Sequence, residues 1–279
     1  MDSNTIAKAV EERYTASVSA PPNPSYTNAV AQAFGYSASD LCTIPSESNL
    51  GLSCGNPLAL ANLHNGETVI DLGCGAGFDC FLAARKVGEG GTVLGVDMNE
   101  TMLAKARLNA TKAGVYNTTF LLSRITAINL NDATADIVIS NCVINLVPHN
   151  EKRLVFGEMF RLLKPGGRLA VSDILTKREL SEEMKRDVAL YVGCVAGAST
   201  KEEYEVWLEE AGFGEVMIVD AGVDLNVYTR TGDEGVAGEG CCGSRKTAAS
   251  VIEGMKTEFR DVDLNQWAGS FKIFAVKGV

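Results

Sequence analysis

Val69-Ile-Asp-Leu-Gly-Cys-Gly-Ala-Gly-Phe-Asp79 is the stretch that decides the fold of this chain. It begins as an apolar run, which is typical of a buried parallel strand, and then turns abruptly into three glycines at alternate positions. A helix is predicted from Phe78 to Val87. A strand, a glycine-rich turn and a helix form the unit that binds a nucleotide-like cofactor, because the glycines admit a ligand close to the backbone and the first N–H groups of the helix are free.

Two acidic residues accompany this turn. Asp71 lies inside the strand, where burying a carboxylate costs free energy unless it serves the loop or a ligand. Val93-Leu-Gly-Val-Asp97 indicates a second strand that ends in an acid, a position from which a carboxylate can hold ribose hydroxyls. The spacing G-x-G-x-G differs from the G-x-G-x-x-G that carries a pyrophosphate. Acid, glycine turn and second acid resemble the S-adenosylmethionine site of class I methyltransferases, whose cofactor has no phosphate.

Strand and helix patterns alternate along the rest of the chain. The predicted strands are 67–72, 92–97, 117–122, 135–140, 167–174, 215–220 and 270–276. The predicted helices are 3–16, 27–35, 57–63, 78–87, 100–113, 150–163, 180–196, 200–211 and 246–259. Lys164-Pro-Gly-Gly167 predicts a helix end followed by a sharp turn. This alternation predicts an α/β fold with a doubly wound, mostly parallel sheet of the seven-stranded type and helices on both faces.

Composition excludes several classes of partner. The chain has 279 residues, of which 46% are hydrophobic, so it can bury a sizeable core. The chain has a net charge of −10 and no cluster of basic residues, so we expect no nucleic-acid partner. No apolar run approaches the ~20 residues of a membrane span. We find no signal peptide, and eight cysteines without one indicate reduced thiols in a cytoplasmic protein, which we expect to be a monomer.

Three cysteines lie in distinctive contexts that make the resemblance more specific. They are found in Gly51-Leu-Ser-Cys-Gly-Asn-Pro57, Ser140-Asn-Cys-Val-Ile-Asn-Leu-Val147 and Tyr191-Val-Gly-Cys-Val-Ala-Gly-Ala198. Together with the glycine turn and Gly95-Val-Asp-Met98, they resemble the arsenite methyltransferase family over about residues 48 to 215. This chain departs from the family at Cys74, where serine is frequent, and at Leu52, where an aromatic residue is common. Cys42 lies closer in sequence to Cys54 than the family's upstream cysteine does to its first arsenic-binding cysteine.

The resemblance implies an enzyme that uses S-adenosylmethionine to methylate trivalent arsenic held by cysteine thiolates. Cys54, Cys142 and Cys194 would be the catalytic, arsenic-binding residues. The implied cofactor-binding residues are Asp71, Gly73, Gly75, Gly77, Asp97, Met98, Arg124, Ile125 and Asn141. The substrates would be arsenite and methylated trivalent arsenicals, with a small-molecule thiol such as glutathione, or a thioredoxin-type protein, as reductant.

The resemblance also implies a division of the chain into four parts. Residues 1–56 would form an N-terminal segment that contributes to the active site, and 57–178 the S-adenosylmethionine-binding domain. Residues 179–220 would supply arsenic-binding helices and complete the sheet. Residues 221–279 would be a C-terminal extension with a glycine-rich loop, containing Cys241 and Cys242, and a final strand. We expect helices 180–211 and the segment 221–269 to form a separate lobe on the substrate side.

Elementary chemistry agrees with this assignment. Trivalent arsenic is soft, so thiolates bind it in preference to oxygen ligands. Its lone pair can attack a sulfonium methyl group without a general base. Cys142 follows the fourth strand and the glycine turn follows the first, and these strands are neighbours at the switch point of a doubly wound sheet. We also expect arsenic affinity to rise with pH toward thiol pKa values of ~8.5.

Other interpretations remain open at this point. A methyltransferase for an organic acceptor such as a quinone or sterol would need a general base or a large apolar cavity, not three thiols. A binding protein could sequester a metalloid without catalysis. Any single buried cysteine can be a small hydrophobic residue, which is the favoured interpretation of Cys74 and Cys80. Cys241 and Cys242 could either relay a metalloid or be exposed thiols.

Overall fold

The computed structural model describes residues 3–19, 23–181, 184, 194–227 and 263–279. Its centre is one sheet of eight strands, in the order β3-β2-β1-β4-β5-β8-β7, with the short β6 beside β5. The strands are β1 Thr68–Leu72, β2 Thr92–Asp97, β3 Thr118–Leu122, β4 Ala135–Asn141, β5 Leu163–Thr176, β6 Ser199–Thr200, β7 Gly214–Asp220 and β8 Ala268–Val276. All seven longer strands coincide with predicted strands, and β6 is an addition.

The pairing of the strands is parallel except at one edge. β1 pairs in parallel with both β2 and β4, while β8 is antiparallel to both β5 and β7. Chain order therefore reverses at β1, which lies between the second and the fourth strand. The predicted α/β, doubly wound and mostly parallel fold is confirmed, and the carboxyl ends of β1 and β4 lie side by side.

Eight α-helices are described. They are α1 Ser3–Ser19, α2 Pro24–Ala33, α3 Ala38–Leu41, α4 Leu58–Ala61, α5 Phe78–Val87, α6 Glu100–Ala113, α7 Lys152–Leu162 and α8 Lys201–Ala211. The bounds of α5 and α6 match the prediction because their end signals are strong. The Asn99 side chain accepts a hydrogen bond from the Met102 N–H at the start of α6, and Gly114 ends that helix with a φ of 64°. Short 3₁₀ turns cover Ser46–Ser48, Ile144–Leu146, His149–Glu151 and Leu264–Gln266.

Helices cover both faces of the sheet. On one face the core includes Phe81 of α5 and Leu103 of α6. On the other face it includes Phe156 of α7 together with Tyr204 and Leu208 of α8. The expectation that α8 belongs to a separate lobe is therefore wrong, because its apolar side chains complete the core of the main body. Among the described residues, no helix is both long and apolar enough to span a bilayer.

The predicted turn at Lys164-Pro-Gly-Gly167 differs from what is observed. α7 ends at Leu162 as expected, but β5 begins at once, with Leu163 opposite Ala135 and a shift of register before Arg168 pairs with Ile137. The glycines are accommodated as an irregular strand start, since Gly166 has a φ of 75°. Most of predicted helix 180–196, all of helix 246–259 and the Cys241-Cys242 loop lie outside the described residues.

Candidate active site

The glycine turn after β1 has a backbone that side chains would obstruct. Gly73, Gly75 and Gly77 have φ values of 74°, 52° and 91°. A Cβ atom at Gly73 would lie only 2.4 Å from a methyl carbon of Val143. The Gly73 N–H donates to the Val96 carbonyl at 2.7 Å, which fixes the turn against β2. The turn thus leaves backbone open to a ligand on its outer side.

Asp97, at the end of β2, holds the same turn from the other side. Its Oδ2 accepts a hydrogen bond from the Gly75 N–H at 2.8 Å, and its Oδ1 accepts one from the Asn99 N–H at 2.9 Å. Burial raises the pKa of this carboxyl group, and the backbone hydrogen bonds partly oppose that shift. Asp97 therefore shapes the loop as well as facing the cavity beside it.

A cavity lies at the carboxyl ends of β1, β2 and β4. Cys142 lines it. So do eight of the nine predicted cofactor-binding residues, namely Asp71, Gly73, Gly75, Asp97, Met98, Arg124, Ile125 and Asn141. Gly77 is the exception, since it starts α5 and faces the Phe81 ring, where a Cβ atom would come within 2.8 Å. The helix α1 closes part of the cavity through Ala7, Val10, Glu11 and Tyr14.

The wall of the cavity contains a third buried acid that sequence reasoning did not assign. Asp79 accepts hydrogen bonds from the Tyr36 hydroxyl at 2.6 Å and from the Asn141 side-chain amide at 3.0 Å. Burial raises the pKa of Asp79 to about 6, and burial followed by repulsion from Asp79 raises the pKa of Asp71 well above its usual range. Burial favours the neutral forms of these three carboxyl groups, so a nearby cation would favour their ionisation and would be stabilised by them. The only signal for Asp79 was its place in the first turn after the glycines.

Three buried cysteines meet behind this cavity. The sulfurs of Cys54 and Cys142 lie within 4.8 Å of each other, and the Cys142 thiol also interacts with that of Cys194. The Cys194 Sγ also donates to the Cys142 carbonyl at 3.0 Å, and the Cys54 N–H donates to the Asn141 side-chain oxygen at 3.2 Å. These residues come from the stretch before α4, the end of β4 and the turn before β6. The fold brings together all three cysteines that the resemblance identified.

Burial changes the acidity of these thiols. It raises the pKa of Cys54 to about 12, and the pKa of Cys142 well above its usual range for the same reason. The pKa of Cys194 is raised as well, first by its hydrogen bond with Cys142 and then by burial. The expectation of values near 8.5 is therefore wrong for the unliganded protein, because desolvation disfavours a thiolate in an apolar surrounding.

Strain marks two of the three cysteines. Cys142 and Cys194 have φ values of 60° and 66°, the left-handed region that residues with a side chain rarely adopt. Such conformations cluster at functional sites, where surrounding contacts hold them in place. Sequence patterns do not reveal them, because cysteine has no preference for this region.

Further side chains at the thiols were also missed. The Tyr14 hydroxyl of α1 hydrogen-bonds with the Cys194 thiol. A carboxylate oxygen of Asp173 and the sulfurs of Cys54 and Cys142 all lie within 4.8 Å of one another. Asp173 is on β5, in a stretch that reads as an ordinary buried strand. Its place beside the thiols follows from the pairing of β4 with β5.

The remaining cysteines of the described part of the chain are separate from this cluster. Cys42 is exposed at the end of α3. Cys74 and Cys80 are buried under the glycine turn, where the Cys80 Sγ donates to the Asp71 carboxylate at 3.2 Å. Their packing role agrees with the sequence interpretation.

Known proteins resemble this chain in sequence. The arsenite methyltransferase of Halobacterium salinarum is 46% identical over 188 residues, which are 67% of this chain and 48% of that protein. The arsenite methyltransferase of Aquipseudomonas alcaligenes is 38% identical over 174 residues, or 60% of this chain and 49% of that protein. The chain thus spans about half the length of these curated relatives.

A solved structure and a family model agree with this relationship. The arsenic(III) S-adenosylmethionine methyltransferase from Chlamydomonas reinhardtii superimposes with a TM-score of 0.56 at 27% identity, over 93% of this chain and 75% of that one. A model of the methyltransferase domain family matches residues 63–212, which include the glycine turn, Asp97, Cys142 and Cys194. Because this match covers more than half of its residues, the chain belongs to the methyltransferase domain family.

Proposed function

We propose that this chain is an arsenite methyltransferase, which transfers methyl groups from S-adenosylmethionine to trivalent arsenic. The observation that carries the proposal is the meeting of Cys54, Cys142 and Cys194, three buried cysteines from distant segments, directly behind the cavity. The relatives that bear the name arsenite methyltransferase support it. A methyltransferase for an organic acceptor has no need of three buried thiols beside its cavity.

The cavity fits S-adenosylmethionine by its chemistry. This cofactor carries a permanent positive charge and no phosphate, and it supplies an electrophilic methyl group when bound. Asp71, Asp79 and Asp97 line the cavity, where a cation would favour their charged forms, while Gly73 and Gly75 give access to backbone. Asp97 would hold the ribose hydroxyls. Arg124 and Ile125 would flank the adenine, and Met98 would pack against its ring.

The thiols fit trivalent arsenic. Each thiol replaces one hydroxyl group of arsenite, the S–H proton leaves with that hydroxyl as water, and an As–S bond forms. Arsenite offers three exchangeable positions and would use Cys54, Cys142 and Cys194, whereas monomethylarsenite offers two. The arsenic lone pair could then attack the methyl carbon of the bound cofactor, whose methyl–sulfur bond would break with release of a neutral thioether, so no general base is needed. The side chains around the cluster therefore have to hold arsenic in place and exclude water, and they do not have to remove a proton from the nucleophile.

The thiols indicate which reductant and which redox environment the enzyme would need. We propose that a small-molecule thiol or a thioredoxin-type protein acts as reductant, since the cysteines bind arsenic only when reduced. All six cysteines of the described residues are free thiols, which supports a reducing, cytoplasmic location.

A labelling experiment tests the proposal. Purified protein is incubated with methyl-labelled S-adenosylmethionine, arsenite and glutathione, and labelled methylarsenicals are expected. Cys142→Ser should abolish their formation, while the exposed-thiol control Cys42→Ser should retain it. Arsenic binding without label transfer would favour a sequestering protein. Label transfer to a quinone or sterol, with none to arsenite, would favour an organic acceptor.

A further inference from the structure

A buried polar cluster lies on the inner side of the thiols and takes no part in the steps above. Lys152 of α7 is 1% exposed and Asp173 of β5 is fully buried. They are joined through Asn145, whose side-chain oxygen accepts from the Lys152 Nζ at 3.3 Å and whose amide donates to the Asp173 Oδ1 at 2.8 Å. Burying an ammonium group costs free energy unless the group is paired with an opposite charge and hydrogen-bonded.

Asp173 accepts hydrogen bonds at both of its carboxylate oxygens. Its Oδ1 also accepts from the Ile174 N–H at 2.9 Å, and its Oδ2 accepts from the Tyr204 hydroxyl at 2.9 Å. Although it lies next to the sulfurs, its oxygens are held by these bonds. The carboxylate therefore anchors the cluster, and its charge favours the ammonium form of Lys152 across Asn145.

The lysine reaches from this anchor to the segment that carries Cys194. Its Nζ donates to the Gly197 carbonyl and, at 2.9 Å, to the Ser199 hydroxyl. The Asn145 amide makes a longer contact of 3.4 Å with the Cys194 carbonyl. Burial lowers the pKa of Lys152 to about 8, and the charge of Asp173 opposes that shift. None of these bonds reaches the residues that line the cofactor cavity on the glycine-turn side.

The Cys194 segment needs such support. Cys194 has the strained φ of 66°, and a tight turn follows in which the Ala198 N–H donates to the Val195 carbonyl at 3.0 Å. A left-handed cysteine persists only when its surroundings hold it. Lys152 donates hydrogen bonds to the far side of this turn, at Gly197 and Ser199.

We propose that Lys152, acting through Asn145 and the 194–199 turn, is a positioning residue that holds the Cys194 sulfur in reach of arsenic. The inference rests on the proposed function, because it assigns the lysine to the arsenic-binding half of that site. It separates the two halves of the enzyme, since loss of the lysine leaves the glycine turn and Asp97 untouched.

A double-mutant cycle tests this role. Arsenite binding by Lys152→Met, measured by calorimetry with sodium arsenite, should be weaker by at least about tenfold, and the arsenic X-ray absorption spectrum should show fewer sulfur ligands. In a Cys194→Ser background the same change should alter arsenite affinity by less than about twofold. S-adenosylmethionine affinity should stay within about twofold throughout, and Lys152→Arg should recover part of the loss. The matched control Lys164→Met removes a half-exposed lysine paired with Asp136 and should match the wild type.

Each result decides the matter. Equal weakening of arsenite binding in both backgrounds, or weakened cofactor binding, would mean a merely structural role and would overturn the inference. If Lys152→Met lacks a folded circular dichroism spectrum, Ser199→Ala takes its place, with an expected loss of about threefold that is absent in the Cys194→Ser background. Unchanged affinity in that variant overturns the inference as well. Full methylation activity in Cys142→Ser would instead remove the proposed function itself.

Discussion

The cofactor half and the thiol half of this site are built in opposite ways. The cofactor half is local: Asp71, Gly73 and Gly75 lie within five residues, and Asp97 follows on the adjacent strand. The thiol half joins Cys54, Cys142 and Cys194, which are far apart in the chain and meet through the pairing of distant elements. A short motif can therefore predict the cofactor half. The thiol half consists of three separate sequence contexts, which come together only in the folded chain.

The two halves also differ in how backbone strain is handled. In the glycine turn, positive φ values fall on residues that adopt them at little cost. At the thiols they fall on Cys142 and Cys194, which need the surrounding contacts described above. We conclude that the cofactor half is set by backbone chemistry and the thiol half by tertiary packing, a contrast that four experiments can break or sharpen.

The largest effect is expected within the thiol half. Cys54→Ser should lower methylation of arsenite by about a hundredfold or more and that of monomethylarsenite far less, since only arsenite needs a third sulfur. Parallel assays of kcat/KM on both substrates measure the difference. A matching loss on both would show that Cys54 is required at every step and would end this division of labour.

A smaller effect is expected in the cofactor half. Asp97→Ala should weaken S-adenosylmethionine binding by about 1.5–3 kcal/mol, or about tenfold to a hundredfold, the range for a lost hydrogen bond to a charged group. Calorimetry with the cofactor measures it, and arsenite binding to the same variant serves as the control. If cofactor affinity does not change, Asp97 only holds the Gly75 N–H.

Lowering the pH should raise the stability of the protein and lower its affinity for the cofactor. The pKa of Asp79 is about 6 in the folded protein against an ordinary 3.8, so the folded state binds this proton more tightly than the unfolded state does. Stability of the free protein should therefore rise as pH falls from 7 to 5, and Asp173, with a pKa of about 6, adds to the effect. Over the same range, affinity for the cationic cofactor should fall about tenfold as Asp79 becomes neutral.

Thermal unfolding and cofactor calorimetry at pH 7, 6 and 5 measure both trends. Asp79→Asn is the matched control and should flatten the pH dependence of cofactor binding. A cofactor affinity that stays constant in the wild-type protein would place Asp79 outside the electrostatic reach of the ligand.

The smallest effect is expected for a buried thiol on the cofactor side. Cys74 packs under the glycine turn, where its thiol interacts with that of Cys80. Cys74→Ser should lower the free energy of unfolding by about 1 kcal/mol through burial of a hydroxyl group, and should leave arsenite methylation within about threefold. Chemical denaturation and the labelling assay measure these. A loss comparable with that of Cys142→Ser would mean that the glycine turn also carries thiol chemistry.

The sequence by itself determined the sheet and the glycine turn with its two acids, Asp71 and Asp97. Apolar runs predicted the seven longer strands, and the alternation of patterns predicted the bounds of α5 and α6. These signals suffice because hydrophobic periodicity and backbone freedom act over a few neighbouring residues. Cysteine contexts also identified Cys54, Cys142 and Cys194, although only through the resemblance to a known family.

Tertiary structure alone decided the rest. It placed α8 in the main body, turned Gly77 away from the cavity, brought Asp79 and Tyr14 to the site, and raised the thiol pKa values. It also set Lys152, Asn145 and Asp173 behind the cysteines. In the sequence these residues read as ordinary strand, helix or surface positions, because burial and electrostatic partners arise from long-range contacts. What a buried lysine or a strained cysteine does depends on what the folded chain packs against it.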